Sequence, residues 1–97
     1  MRTRYLLCYD VRDEARLRRA GKVAQQFGNR LQYSIFVCDL SAVERARFEQ
    51  RLRKVLDLAV DCAVLVDLGQ PGKASTQRLH WIAGHVHLHD SSEATIV

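Results

Sequence analysis

The amino-acid sequence predicts an α+β sandwich in which two helices cover one face of a small sheet. The chain has 97 residues, of which 47% are hydrophobic and 27% charged, as expected for one small globular domain. Short apolar runs alternate with segments of helical spacing, in the order strand, helix, one or two strands, helix, strand. A ferredoxin-like βαββαβ arrangement fits this order best. We expect it over residues 1–78, with residues 79–97 forming either a tail or an added edge strand.

The first predicted strand and helix occupy residues 4–27. Residues 4–9 (RYLLCY) are apolar and compatible with a buried strand, which ends at Asp10. Asp13 is suited to be the N-cap of the following helix, and Gly28 provides a stop signal after it. Apolar residues recur at helical spacing along one stripe of this helix, which consists of Leu17, Ala20, Ala24 and Phe27.

The middle of the chain begins with a β-branched and aromatic run at residues 30–40 (RLQYSIFVCDL). This run can form one long strand or two short strands that meet near residues 32–34, and the pattern does not decide between them. Ser41 and Glu44 then form a capping box that opens a second helix. The expected core face of this helix consists of Phe48, Leu52, Val55 and Leu56.

A last strand is predicted at residues 62–68 (CAVLVDL), before a turn at residues 69–72. Beyond it, residues 85–89 alternate between histidine and aliphatic residues, so a strand there would place three histidines on one face. Three histidines and a water can bind zinc, but a weakly structured C-terminal strand is the favoured interpretation.

The cysteines and the hydropathy of the chain both bear on its compartment. Cys8, Cys38 and Cys62 form no CxxC pair, and their odd number argues against a disulfide framework or a zinc ribbon. We expect all three to be small buried side chains in strands. No apolar run approaches the roughly 18 to 20 residues needed to span a bilayer, so we expect a cytoplasmic location and no membrane partner.

The distribution of charge favours a polyanionic partner. The first 56 residues contain thirteen basic and six acidic side chains, whereas residues 57–97 contain two and five. This basic excess on a small domain favours nucleic acid, although ordinary solubilising charge gives the same signature. The candidate nucleic-acid-binding residues lie on the polar faces of the two helices and are Arg16, Arg18, Arg19 and Lys22 in the first and Arg47, Arg51 and Lys54 in the second.

Asp10 is the candidate catalytic residue and metal ligand, because it stands where the first strand ends and the loop begins. A carboxylate there can bind a hard divalent cation such as Mg²⁺, which can activate water or stabilise a phosphoryl transition state. One carboxylate makes a poor site, whereas two copies related by a dimer axis make a better one. A homodimer packed through the sheets is also the simplest cover for the second sheet face. The alternative role of Asp10 is to bind turn amides through its side chain.

Several segments together resemble one known family. They are the strand end at residues 9–11 (YDV), the end of an Arg-rich helix at residues 27–30 (FGNR), residues 31–38 (LQYSIFVC) and a helix opening at residues 40–41 (LS). Their order resembles the Cas-two (Cas2) family, the small CRISPR-associated nucleases of spacer acquisition. The similarity covers residues 4 to about 68, and the histidine-rich end has no counterpart in it.

The resemblance implies properties that the spacing alone does not show. It implies that residues 30–40 divide into two strands, and that Asp10 faces its symmetry mate across the cleft of a homodimer and binds Mg²⁺ for phosphodiester hydrolysis. Arg16, Arg18 and Arg19 fall within the helix segment that the family uses beside that cleft. Phe36 matches a family phenylalanine for which we expect a packing role.

Two functions follow from the resemblance. The first is that of a metal-dependent endoribonuclease or double-strand DNA nuclease. The second is that of a non-catalytic DNA-binding adaptor that bridges dimers of the Cas-one (Cas1) integrase and holds the incoming DNA. Asp13 is the one local candidate for a second acidic ligand, which favours the adaptor as the biological role, whereas the family resemblance favours nuclease as the activity. A weaker alternative is a ferredoxin-like small-molecule sensor, against which the basic excess argues.

Overall fold

The computed structural model describes residues 1–86 and 88, and it confirms the predicted ferredoxin-like arrangement. Four strands form one antiparallel sheet in the order β2-β3-β1-β4. The elements in chain order are β1 (Thr3–Asp10), α1 (Glu14–Phe27), β2 (Gly28–Gln32), β3 (Ile35–Leu40), α2 (Ala42–Val55), β4 (Cys62–Gly69) and α3 (Lys73–Thr76). None of the helices in the described ranges combines the length and the apolar character that a membrane span requires.

Both long helices begin at the predicted caps. The Asp13 carboxylate accepts a hydrogen bond of 3.0 Å from the backbone N–H of Arg16, which satisfies a donor at the start of α1. Ser41 and Glu44 form the reciprocal capping box at the start of α2, with hydrogen bonds of 3.1 and 2.8 Å. These local signals therefore place the first turn of each helix correctly.

Residues 30–40 divide into two strands, which decides between the alternatives that the sequence pattern leaves open. β2 and β3 form a hairpin whose turn is residues 33–34. β2 begins at Gly28, directly after α1, and a side chain at this position would collide with the Val37 carbonyl oxygen and with Cys38 of β3. Glycine thus allows the two strands to approach closely at the point where the helix ends.

The core lies between the sheet and the two long helices. Leu7 is 1% exposed, and Phe36 and Phe48 are fully buried, so β1, β3 and α2 each contribute a large side chain. The buried position of Phe36 agrees with its expected packing role. The predicted apolar stripes of both helices face this core, and their members are Leu17, Ala20, Ala24 and Phe27 on one side and Phe48, Leu52, Val55 and Leu56 on the other.

The opposite face of the sheet is increasingly exposed toward β4. Cross-strand partners share a face, and Val37, Leu6 and Val66 form one row across β3, β1 and β4. Val37 is 5% exposed, Leu6 is half-buried, and Val66 is 43% exposed. In the next row Cys8 is partly buried and Val64 is 51% exposed. These five residues define what we term the open face, an apolar surface of the kind that partners often cover.

The prediction that all three cysteines are buried is wrong for one of them. Cys38 is fully buried, and burial raises the pKa of its thiol to about 12. Cys8 is partly buried, but Cys62 is exposed. Cys62 opens β4, which among the described strands is an edge strand with β1 as its neighbour. An apolar run in the sequence does not distinguish an edge strand from a central one.

A buried ion pair fastens α3 to the sheet. Arg4 is 1% exposed and donates hydrogen bonds of 2.7 and 2.8 Å to the Asp39 carboxylate. Its Nη1 donates a further bond of 2.8 Å to Oγ1 of Thr76 in α3. The sequence patterns do not predict α3, since four residues are too few to show helical spacing.

The predicted C-terminal segment lies partly outside the described residues. The rings of Trp81 and His85 have centroids 5.4 Å apart, and neither His85 nor Val86 lies in a strand. His87 and residues 89–97 fall outside the described ranges. A strand is thus not formed at residues 85 and 86, and the added edge strand beyond them stays a prediction.

Candidate functional site

Asp10 lies at the exposed end of the central strand β1. It pairs with Cys62 at the beginning of β4, and its position along β1 gives it the same sheet face as Leu6 and Cys8. The carboxylate is 70% exposed, and its Oδ2 lies 3.7 Å from Nη2 of Arg12. The structure thus places the predicted metal ligand at the rim of the open face.

The Asp10 carboxylate is the type of oxygen ligand that Mg²⁺ prefers, but the described residues of one chain do not complete a metal site around it. Mg²⁺ is usually held by one or two carboxylates together with waters and substrate phosphates. Asp13, the other acidic candidate in the loop, uses its carboxylate to cap α1. Within residues 1–86 and 88, no three His, Cys, Asp or Glu side chains are grouped so that they could hold a metal ion. A carboxylate from a second copy or a substrate phosphate would complete the ligand set.

The loop that follows Asp10 is held by Asp61, a residue that the sequence patterns do not single out. The Asp61 side chain is fully buried just before β4. Its carboxylate accepts hydrogen bonds of 2.8 and 3.1 Å from Nε and Nη2 of Arg16. The backbone N–H groups of Arg12 and Asp57 donate two more, of 2.9 and 2.8 Å. The Arg16 guanidinium, with these two N–H groups, holds the pKa of Asp61 well below its usual range.

The predicted basic residues of α1 fall into two groups. Arg16 is engaged by Asp61, and Arg18 lies 3.8 Å from Glu14 one turn earlier. Arg19 and Lys22 are exposed, as contact with phosphate requires. The geometry therefore gives Arg16 a structural partner, whereas Arg18, Arg19 and Lys22 lie on the solvent side of the helix.

Two basic residues of α2 line a groove of about 430 Å³ between the two long helices. Arg51 donates a hydrogen bond of 2.9 Å to the side chain of Gln26 in α1, which orients its guanidinium. Arg47 is exposed beside it. The acidic side chains that line the groove already form ion pairs with other arginines, so we term it the basic groove. Lys54 is exposed but does not line the groove.

Tyr9, the residue before Asp10, belongs to an arginine–aromatic cluster with Phe36 and Arg30. The sequence patterns do not single out this cluster. Tyr9 is 6% exposed, donates a hydrogen bond of 3.5 Å to the Tyr33 carbonyl, and stacks on Phe36 at a centroid distance of 6.2 Å. The Arg30 guanidinium lies 4.7 Å from the Phe36 ring centroid and donates to the same carbonyl. Gly21 leaves room for it, since a Cβ there would lie 3.1 Å from Arg30 Nη2. This cluster fixes the β2–β3 turn against the end of β1.

The chain is similar in sequence to CRISPR-associated proteins. The model of a family described as CRISPR associated protein Cas2 matches residues 1–75. A protein of Thermodesulfovibrio yellowstonii named CRISPR-associated endoribonuclease Cas2 2 is 38% identical over 61 residues, which are 63% of this chain and 67% of that protein. A Geobacter sulfurreducens protein named CRISPR-associated endoribonuclease Cas2 is 34% identical over 65 residues, which are 67% of this chain and 68% of that protein.

Solved structures show the same fold. The crystal structure of Streptococcus pyogenes Cas2 at pH 6.5 superposes with a TM-score of 0.71 at 27% identity, covering 82% of this chain and 99% of that chain. A hypothetical protein from Thermus thermophilus superposes with a TM-score of 0.70 at 25% identity, covering 75% and 89% of the two chains. The family match at residues 1–75 runs through β4 and into α3, beyond the residue at which the sequence resemblance was expected to end.

Proposed function

This chain belongs to the Cas2 family of CRISPR-associated proteins, and from that premise we propose that it is a Mg²⁺-dependent endonuclease that hydrolyses phosphodiester bonds as a homodimer. The observation that carries the proposal is the position of Asp10, whose carboxylate is 70% exposed at the rim of the open face. The relatives are named endoribonucleases, which makes RNA the first substrate to test and duplex DNA the second.

The homodimer is proposed from the open face. An identical face on a second copy would cover Leu6, Val64 and Val66 in an isologous contact, in which each copy uses the same surface. Asp10 shares this face, so such a contact would place the Asp10 of both copies at the rim of one interface. The second copy would then supply the carboxylate that one chain lacks.

The roles of the chain's own residues follow from this arrangement. The Asp10 carboxylate would hold Mg²⁺ at the end of β1. A bound Mg²⁺ supplies stabilisation of phosphoryl charge and a water of lowered pKa. Arg12, 3.7 Å from Asp10, is placed to meet a phosphate oxygen close to the metal ligand. Arg19, Lys22 and the basic groove would contact phosphates further along the nucleic acid.

A second function is supported by the same charges. The exposed cations of α1 and α2 can bind a nucleic-acid backbone without any hydrolysis, and the described part of each chain groups no three metal-binding side chains around Asp10. In this alternative the dimer is a non-catalytic adaptor that holds DNA and bridges the Cas1 integrase. The two functions differ in whether the removal of the Asp10 charge affects any reaction.

The substitution Asp10→Asn tests the nuclease proposal. We expect the rate of Mg²⁺-dependent cleavage of short RNA or duplex DNA to fall about 100-fold or more, because a direct metal ligand matters at least as much as its supporting shell. Nucleic-acid affinity should stay the same or increase, since a negative charge near the phosphates is removed. Cleavage is measured with Mg²⁺ and with EDTA, and affinity by fluorescence anisotropy.

Glu14→Gln is the matched control, because it removes an exposed carboxylate in the first turn of α1. It should leave the cleavage rate within about twofold. Metal-dependent cleavage that survives in Asp10→Asn would contradict the assignment of Asp10. Tight binding by a wild-type protein that cleaves neither substrate would support the adaptor.

A further inference from the structure

Asp61 is far from Asp10 in sequence, but the pairing of β1 with β4 brings the two residues close together. Asp61 immediately precedes Cys62, and Cys62 is the β4 partner of Asp10. The two carboxylates are nevertheless in opposite environments. The Asp61 side chain is fully buried and accepts four hydrogen bonds, whereas the Asp10 side chain is 70% exposed with an ion-pair contact of 3.7 Å. The Asp10 carboxylate is thus accessible to a ligand, and its position depends on the backbone that carries it.

The four donors to Asp61 come from three separate segments of the chain. Arg12 contributes its backbone N–H from the loop between β1 and α1. Arg16 contributes a two-pronged side-chain contact from the beginning of α1. Asp57 contributes its backbone N–H from the loop between α2 and β4. One carboxylate therefore ties the loop after Asp10 to the first helix and to the edge strand.

We propose that Asp61 is the positioning residue of the Asp10 site, holding the loop of residues 11–13 so that the Asp10 carboxylate meets the metal in one orientation. This inference rests on the proposed function. Asp61 acts through Arg12 and Arg16 and touches neither metal nor substrate. Its buried ion pair with Arg16 also removes that arginine from the set of freely mobile phosphate-binding cations.

The chemistry of the contacts requires an ionised carboxylate. Every partner of Asp61 is an N–H donor, so both oxygens must accept. In Asp61→Asn the amide NH₂ would face either Arg12 N–H or Asp57 N–H, together with the Arg16 guanidinium. No flip of the amide satisfies all four donors: one bond to Arg16 is lost in either orientation, together with the bond to Arg12 N–H or the bond to Asp57 N–H.

The experiment compares Asp61→Asn with wild type in three measurements. They are the Mg²⁺ concentration that gives half-maximal cleavage, the affinity for Mn²⁺ measured by electron paramagnetic resonance, and amide hydrogen exchange of residues 10–16. We expect both metal constants to weaken about tenfold, as loss of a supporting contact typically does. Exchange at residues 10–16 should accelerate, while KM for nucleic acid stays within twofold.

The matched control is Asp67→Asn, which also replaces an aspartate that accepts a backbone hydrogen bond, of 2.7 Å from Gly69. It should change none of the three measurements. If Asp61→Asn fails to fold, Arg16→Lys replaces it, since lysine keeps the charge but cannot make the two-pronged contact. The Lys variant should weaken the metal constants by a smaller factor in the same direction.

Two results would overturn the proposal. In one, Asp61→Asn lowers the cleavage rate only in proportion to the unfolded fraction and leaves both metal constants unchanged, which would make Asp61 purely structural. In the other, Asp10→Asn binds Mn²⁺ with the same affinity as wild type, which would mean that Asp10 is not a metal ligand. A wild-type protein that binds Mn²⁺ through Asp10 without cleaving would instead overturn the nuclease proposal, and a weaker Mn²⁺ affinity in Asp61→Asn would still support the positioning role.

Discussion

The two faces of the sheet differ in how far the chain itself covers them. Toward the helices, Leu7, Phe36 and Phe48 are at most 1% exposed. On the open face, Val64 and Val66 are 51% and 43% exposed. The same strands supply both faces through alternating residues, so the difference arises because the long helices pack on one side alone. The helix-covered face thus stabilises the single chain, and the open face is the surface through which we propose that the chain associates.

The same contrast recurs between two aspartates, Asp10 at the end of β1 and Asp61 just before the paired strand β4. The chain satisfies Asp61 with four donors and buries it, whereas Asp10 keeps an exposed carboxylate on the open face. A buried, fully bonded charge holds structure, and an exposed, weakly paired one can bind a ligand. The difference in surroundings separates the two roles, although the residue type is the same.

The largest effect on stability is expected from the helix-covered face. Phe48 is fully buried, and its ring centroid lies 4.9 Å from that of Phe27. Phe48→Ala should lower the free energy of unfolding by about 3–5 kcal/mol, because it removes a large apolar side chain and leaves a cavity. Urea denaturation at low protein concentration measures this value with little contribution from association.

The matched variant on the open face is Val66→Ala, which should lower the same free energy by less than about 1 kcal/mol, since Val66 is already 43% exposed. Equal losses in the two variants would contradict the division of roles between the faces.

A smaller effect on folding but a clear one on association is expected from Val66→Lys. A lysine at this position would bring a charge into the proposed dimer contact, so the dissociation constant should rise at least about tenfold, equivalent to about 1.4 kcal/mol. The unfolding free energy of the monomer should change by less than about 0.5 kcal/mol. Sedimentation velocity over a concentration series measures the association.

Val43→Lys is the control, because Val43 is 61% exposed on α2 and lies outside the open face. Unchanged association in Val66→Lys, or equal weakening in both variants, would show that the open face is not the dimer contact.

Most of the fold could be predicted because its signals are local. The cap residues Asp13 and Ser41 each act within three residues of their partners, and the helical stripes repeat within one element. The sequence pattern does not show whether residues 30–40 form one strand or two, because their composition suits a strand throughout. The turn at residues 33–34 has no glycine or proline to mark it.

The site could be predicted in part. The place of Asp10 at a strand end is a local feature, and the sequence predicts it. The role of Asp61 could not be predicted, because its main partner Arg16 lies 45 residues earlier and a single aspartate in a loop has no distinguishing pattern. The exposure of Cys62 likewise could not be predicted from the sequence, since tertiary pairing sets the order of the strands.

The smallest expected effect concerns the junction of the helix layer with the start of β1. The Glu44 carboxylate accepts two hydrogen bonds of 2.9 Å from Arg2, and it also closes the capping box of α2. The Arg2 guanidinium and the Ser41 backbone N–H lower the pKa of Glu44 to about 2. Because the folded-state pKa lies below the unfolded one, this contribution is present above about pH 4.5 and is lost as the pH falls toward 2.

Glu44→Gln should therefore lower the free energy of unfolding by about 1 kcal/mol at pH 6, a modest value because water screens this partly exposed pair. The difference from wild type should become small at pH 2, where Glu44 is neutral in the unfolded chain and about half protonated in the folded one. Arg2→Met should remove most of the same acid dependence. A difference between Glu44→Gln and wild type that is as large at pH 2 as at pH 6 would mean that Glu44 stabilises this junction through packing and not through its charge.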